Sequence, residues 1–194
     1  MSSLPERIER IERDLLAEPP RISAYHDLPF AVLHYTPAEE FEARRQIRRF
    51  ATRLENAGRR VHPFSLARLL WRAVEATEGV AAIAQEERDL GFRRAQNTLC
   101  TLLSDDSFLP LRNQLAELTR PLDPEHDVVF LVRAAALAPA AYRCAKLLDE
   151  LHGRTPVPMI LFYPGTLEGT TNLRFMDLPE REQTGAYNYR VKIY

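Results

Sequence analysis

Cysteine is almost missing from this chain: Cys100 and Cys144 are the only two in 194 residues. They form neither a metal-ligand spacing nor a disulfide framework, which points to a reducing compartment. No window approaches the ~20 apolar residues of a spanning helix. The opening Met-Ser-Ser-Leu-Pro-Glu-Arg also lacks the apolar core of a signal peptide. The chain therefore reads as cytoplasmic, with no membrane partner. Nor is there an excess of one charge sign. With 26 basic and 27 acidic side chains the formal charge is -1, so no global field drives the protein onto nucleic acid, and only a local patch can do so.

Glycine-based chemistry is missing as well. There is no G-x-x-x-x-G-K-[ST], no G-x-G-x-x-G after a strand and no G-x-S-x-G elbow. The segment after the apolar run Asp127–Val132, where a phosphate cradle would sit, reads Arg-Ala-Ala-Ala-Leu-Ala-Pro without glycine. No nucleotide cofactor is expected on this basis. His26-Asp27 and Asp123-x-x-His126-Asp127 can each be drawn as an acid/base pair, but polar residues before a strand usually make turns. The residues therefore nominate no catalytic group, no metal ligand and no cofactor.

The strongest signal present is Val157–Gly169, V-P-M-I-L-F-Y-P-G-T-L-E-G. Its continuous apolar run predicts a strand over Val157–Tyr163 buried on both faces. Proline and glycine follow directly, and strand ends in open α/β sheets carry working loops. Tyr163, Pro164, Gly165, Thr166 and Gly169 are thus a candidate functional loop, the other reading being an ordinary turn.

Pro29–Tyr35 predicts a second central strand, with Phe30, Val32 and His34 on one face and Ala31, Leu33 and Tyr35 on the other. His34 is expected to be a hydrogen-bonded core histidine. Asp127–Val132 predicts a third buried strand, followed by a helix from about Pro139 to His152 and then Val157–Tyr163, a βαβ unit that favours parallel pairing. Arg59–Phe64 carries an internal proline and is confined to a strand end or sheet edge. Asn172–Phe175 and Tyr187–Tyr194 predict two short closing strands.

Capping boxes at Ser3-x-x-Glu6 and Thr36-x-x-Glu39 open helices, the second running to about Asn56. Ser65 caps a third helix with Leu66, Leu69, Leu70, Ala73 and Val74 on one stripe. Gly79–Ser104 predicts one or two helices broken near Gly91, and Asp106–Thr119 continues helically. The expected fold is mixed α/β: a single domain with a mostly parallel central sheet flanked by helices, and a helical insertion over about 79–120.

Two surface features remain. On the second helix Arg45, Arg48, Arg49 and Arg53 point away from the apolar face, either as a phosphate track or as a solvated surface. Trp71 lies at the margin of its helix stripe, either as an interface anchor or packed under a neighbouring helix.

D-V-V-F-L-V at Asp127–Val132, the helix from Pro139, V-P-M-I-L-F-Y-P-G-T-L-E-G, L-R-F at Leu173–Phe175 and Y-N-Y-R-V at Tyr187–Val191 together resemble the BrxB family of bacteriophage-exclusion (BREX) phage-defence systems. P-F-A-V-L-H-Y and S-L-A-R-L-L stand in the same order, so the resemblance extends over nearly the whole chain. It implies a small component of an antiviral system that also contains a PglZ-like alkaline-phosphatase-family protein, a BrxC-like ATPase and a PglX-like methyltransferase. It implies no catalytic residues. The expected role is a non-catalytic adaptor that binds one of these components, first the PglZ-like protein. The alternatives are a nucleotide-binding protein or hydrolase using Pro164-Gly165-Thr166, and a weakly DNA-contacting subunit.

Overall fold

A computed structural model describes residues 2–22, 29–139, 141–169, 172–178 and 191–194. The N-terminal helix α1, Leu4–Leu15, opens on the expected box: the Ser3 hydroxyl accepts from the Glu6 amide and the Glu6 carboxylate accepts from the Ser3 amide. Strand β1, Phe30–Tyr35, is buried along its whole length. A short 3-10 turn, Pro37–Glu39, leads into α2, Glu40–Asn56, and Gly58, at a φ of 87°, ends it by turning left-handed where other residues would strain. Strand β2, Arg60–Ser65, follows, and Ser65 caps α3, Leu66–Glu75.

The insertion consists of α4, Gly79–Leu90, α5, Phe92–Ser104, and α6, Leu111–Thr119, with the expected break at Gly91. Helix α6 begins five residues later than the sequence pattern suggests. Pro110 adopts an extended conformation as its N-cap, and a proline disfavours helical geometry in the residue before it. Strand β3, Asp127–Val132, leads through a 3-10 turn at Ala134–Leu137 to α7, Cys144–Leu151, which also starts later than the expected Pro139. Ala141 and Tyr142 are buried ahead of it as plugs of the core. Strands β4, Met159–Glu168, β5, Asn172–Phe175, and β6, Lys192–Ile193, complete the sheet.

The sheet order is β2-β3-β4-β1-β6, with all four of these pairings parallel and β5 added antiparallel to β4. The strand alternation divides the core between two faces. Val32, Val129, Leu131, Met159 and Leu161 pack beneath α3, α5, α6 and α7. Leu33, Phe130, Ile160 and Phe162 pack beneath α1 and α2. Successive side chains of a strand point to opposite faces, so the uninterrupted apolar runs read from the sequence are what a sheet covered on both sides requires. Edge strand β2 is the one that carries Pro63. Among the described residues, no helix is long and apolar enough to cross a membrane.

Candidate functional site

The segment singled out as a strand-end loop is not a loop. β4 runs on through Pro164, Gly165 and Thr166 to Glu168, pairing Pro164 in parallel with Tyr35 and then Gly165–Glu168 antiparallel with Asn172–Phe175. The proline is tolerated because β3 stops pairing at Leu161, leaving β4 with β1 alone on its parallel side at that level. Gly165 is required by close approach: a Cβ there would fall against the Arg174 carbonyl oxygen and 2.7 Å from Tyr163 Cε1. Tyr163 is buried, donates to the Leu173 carbonyl at 3.3 Å and packs its ring 5.2 Å from that of Phe175. Thr166 donates to Asp177 at 2.8 Å. The exposed part of the stretch is its tip, Glu168 and Gly169. Thr170 and Thr171, like His26-Asp27 and Tyr187–Tyr189, lie outside the described residues.

The arginine face of α2 divides. Arg53 reaches across to α1 and pairs with Glu12 at 2.6 Å while lying over the Phe50 ring, so it joins two helices instead of facing a ligand. Arg45 pairs with Glu42 one turn away on the same helix. Arg48 and Arg49 are exposed. Phe41, outside the apolar stripe as the spacing requires, is 82% exposed. It shares one helical line with Arg45 and Arg48. Trp71 is 50% exposed on α3, so it does not pack fully under a neighbouring helix.

His34 is the expected core histidine: its pKa is depressed by burial first and by the Arg7 charge second, with a hydrogen bond to the Gly165 backbone opposing them. Burial pushes the Cys144 thiol up to about 12, which suits inert packing.

Asp127 and its neighbours form a clamp at the N-terminal ends of β2 and β3. Its carboxylate accepts from Arg60 Nε at 2.6 Å and Nη2 at 2.9 Å, bonds His62 Nε2 at 2.9 Å and accepts the Asp123 amide at 2.7 Å. His126 bonds Asp123 at 2.6 Å. The Arg60 guanidinium above all holds the Asp127 carboxyl well below the usual range, against the opposing effect of burial. Every oxygen is engaged in tying edge strand β2 to β3, which makes this a structural device. A carboxyl whose folded pKa is depressed adds stability that is present above its unfolded value of about 3.9 and is lost as pH falls through the folded value. Asp127→Ala should therefore cost about 2–3 kcal/mol at pH 7. Parallel denaturant titrations of both proteins should show that gap closing progressively as pH drops below about 4; a gap independent of pH would rule out the ionised clamp.

At the opposite, C-terminal ends of the strands, β1 leads into α2 on one face of the sheet and β3 into α7 on the other. Chains diverging in this way leave a crevice where α/β folds bind ligands. Here it is a cavity of about 180 Å³ floored by Phe162 and Val132. Tyr35, Glu40, Arg44, Arg48 and Arg133 also line it. The Tyr35 hydroxyl donates to Glu40 at 2.6 Å and Arg44 Nε donates to the other oxygen of the same carboxylate at 2.7 Å. Burial, followed by that carboxylate, pushes the Tyr35 phenol up, so it stays a proton donor. Arg133 is exposed and left-handed, with a φ of 60° and a ψ of 39°. Sequence reasoning passed over Arg133 and the cavity. The available signal was the glycine missing after β3, because the chain turns there through a conformation that glycine adopts freely. Among the described residues, no group of His, Cys, Asp and Glu is arranged to hold a metal ion.

A family model described as BREX protein BrxB matches residues 62–193. That is more than half of the chain, which belongs to the BrxB family and is thereby a component of a BREX phage-defence system. The match begins within β2, so it does not extend over α1, β1 and α2, which the motif resemblance had included. No curated protein and no solved structure matches the chain.

Proposed function

We propose that the chain acts in the cytoplasm as a non-catalytic adaptor, binding the PglZ-like phosphatase-family component of the BREX system and holding it for assembly with the BrxC-like ATPase and PglX-like methyltransferase. Family membership supports the setting, and one surface observation carries the contact: Phe41 is 82% exposed on a helical line with Arg45 and Arg48. Aromatic and arginine side chains are enriched where protein interfaces concentrate their affinity. Trp71 and the β4–β5 tip at Gly169 are secondary candidates.

The hydrolase alternative loses its loop, because Pro164, Gly165 and Thr166 are paired strand residues. Calorimetry with Mg-ATP and Mg-GTP is expected to give no micromolar binding, and no hydrolysis should follow. The DNA alternative loses one arginine of four to the α1–α2 contact. Phe41→Ala combined with Arg48→Glu should lower affinity for the PglZ-like protein about thirtyfold, the equivalent of one truncated hot spot. The melting temperature should hardly move, since neither side chain is buried. Co-purification and titration of the folded variant against that partner decide the matter: unchanged affinity displaces the interface from α2, and failure of the wild-type chain to capture any BREX component removes the adaptor reading.

A further inference from the structure

We infer that the crevice at the C-terminal ends of β1, β3 and β4 is a binding site for a single phosphate group, formed by Arg44, Arg48 and Arg133 above the Phe162 and Val132 floor. Three guanidinium groups line a cavity that contains one carboxylate, Glu40. That carboxylate accepts from Tyr35 on one oxygen and from Arg44 Nε on the other, so its charge offsets that of Arg44 and leaves an excess equal to Arg48 and Arg133. This arrangement holds the Arg44 guanidinium through Nε, with its carbon 5.6 Å from the centre of the Phe41 ring, and none of the described hydrogen bonds uses its two terminal nitrogens. The lining thus carries net positive charge beside an apolar floor, a setting that strengthens charge-assisted hydrogen bonds to a phosphate.

Arg133 supplies the second line of argument. A non-glycine residue in the left-handed region is disfavoured, and at this turn glycine would fit without strain. The position instead carries a long cationic side chain that lines the cavity together with Arg44 and Arg48 of α2. Strain retained at a residue facing a cleft points to a role for its side chain. The volume, about 180 Å³, is below the roughly 300–1,000 Å³ of pockets that enclose drug-sized ligands. It suits orthophosphate or the head of a phosphomonoester and leaves a nucleoside outside, consistent with the absence of tight nucleotide binding expected above.

Calorimetric titration of the full chain with orthophosphate, and separately with glycerol phosphate, tests the site. The wild type should bind saturably with a dissociation constant near or below about 1 mM. Stronger binding of the ester would identify a phosphomonoester as the ligand, and equal binding free phosphate. Arg133→Gly should weaken binding at least about tenfold while the melting temperature holds or rises, because glycine relieves the backbone and removes only the cation. Arg48→Ala should weaken it comparably. Arg45→Ala, which removes a charge outside the cavity, should leave it unchanged. Absence of saturable binding by the wild type, or full affinity in Arg133→Gly, overturns the assignment.

Discussion

Gly165→Ala is expected to destabilise the fold by about 3 kcal/mol or more, toward the upper end of what overpacking costs, and to do so without any partner present. The added methyl group would meet the backbone oxygen of Arg174, which is held in register by β5 and cannot swing aside as a flexible side chain would. Nearby side-chain contacts would suffer as well, since Tyr163 is wedged between Gly165 and Phe175. Urea unfolding monitored by far-ultraviolet circular dichroism measures the loss. A variant with wild-type stability but no affinity for the PglZ-like protein would instead restore the residue to a functional loop.

Phe130→Ala should cost about 3–5 kcal/mol, the range for removing a buried aromatic from a close-packed core. Phe130 stands between Phe50 of α2 and Phe162 of β4, with ring centroids at 5.1 Å and 4.9 Å, and all three rings are essentially inaccessible. Their stack joins the helix that carries Phe41 and Arg48 to the sheet that carries Arg133. A cavity at its centre should therefore loosen the phosphate crevice in addition to lowering global stability. Phe130→Leu fills most of the volume and should cost much less, so a comparison of the two by thermal denaturation and phosphate titration separates lost volume from lost ring contacts. Equal and small losses in both would mean that the stack is not what seats α2.

Sheet composition was legible where local pattern and tertiary demand agree. Asp127–Val132 and Asn172–Phe175 form strands with the limits read from the sequence, and Gly91 breaks the insertion helices as expected. Local punctuation misleads at Pro164-Gly165. The two residues normally end a strand, yet Tyr35 opposite Pro164 on one side and Phe175 opposite Gly165 on the other supply pairing that carries the chain through. Arg53 shows the same limit on a helix. Its spacing from the apolar stripe is that of a solvated residue, but Glu12 on a different helix lies within reach. The Asp127 clamp and the crevice depend on residues brought together from distant strands, such as Arg60 with Asp127, and no spacing rule announces such meetings.

The position of β1 has a consequence for how the chain is made. β1 leaves the ribosome early, yet its neighbours are Met159–Pro164 and Lys192–Ile193, which emerge much later. Tyr194 then closes the edge: its amide donates to Val32 at 2.8 Å, its carbonyl accepts from His34 at 3.2 Å, and its hydroxyl donates to Asp14 on α1 at 2.6 Å. The most apolar early strand thus spends most of translation without its hydrogen-bond partners, and pairings between such distant segments form slowly. A nascent chain that stalls before residue 192 presents the unpaired flank of β1, the kind of edge onto which other chains add. The strand synthesised first is the one whose pairing is completed last.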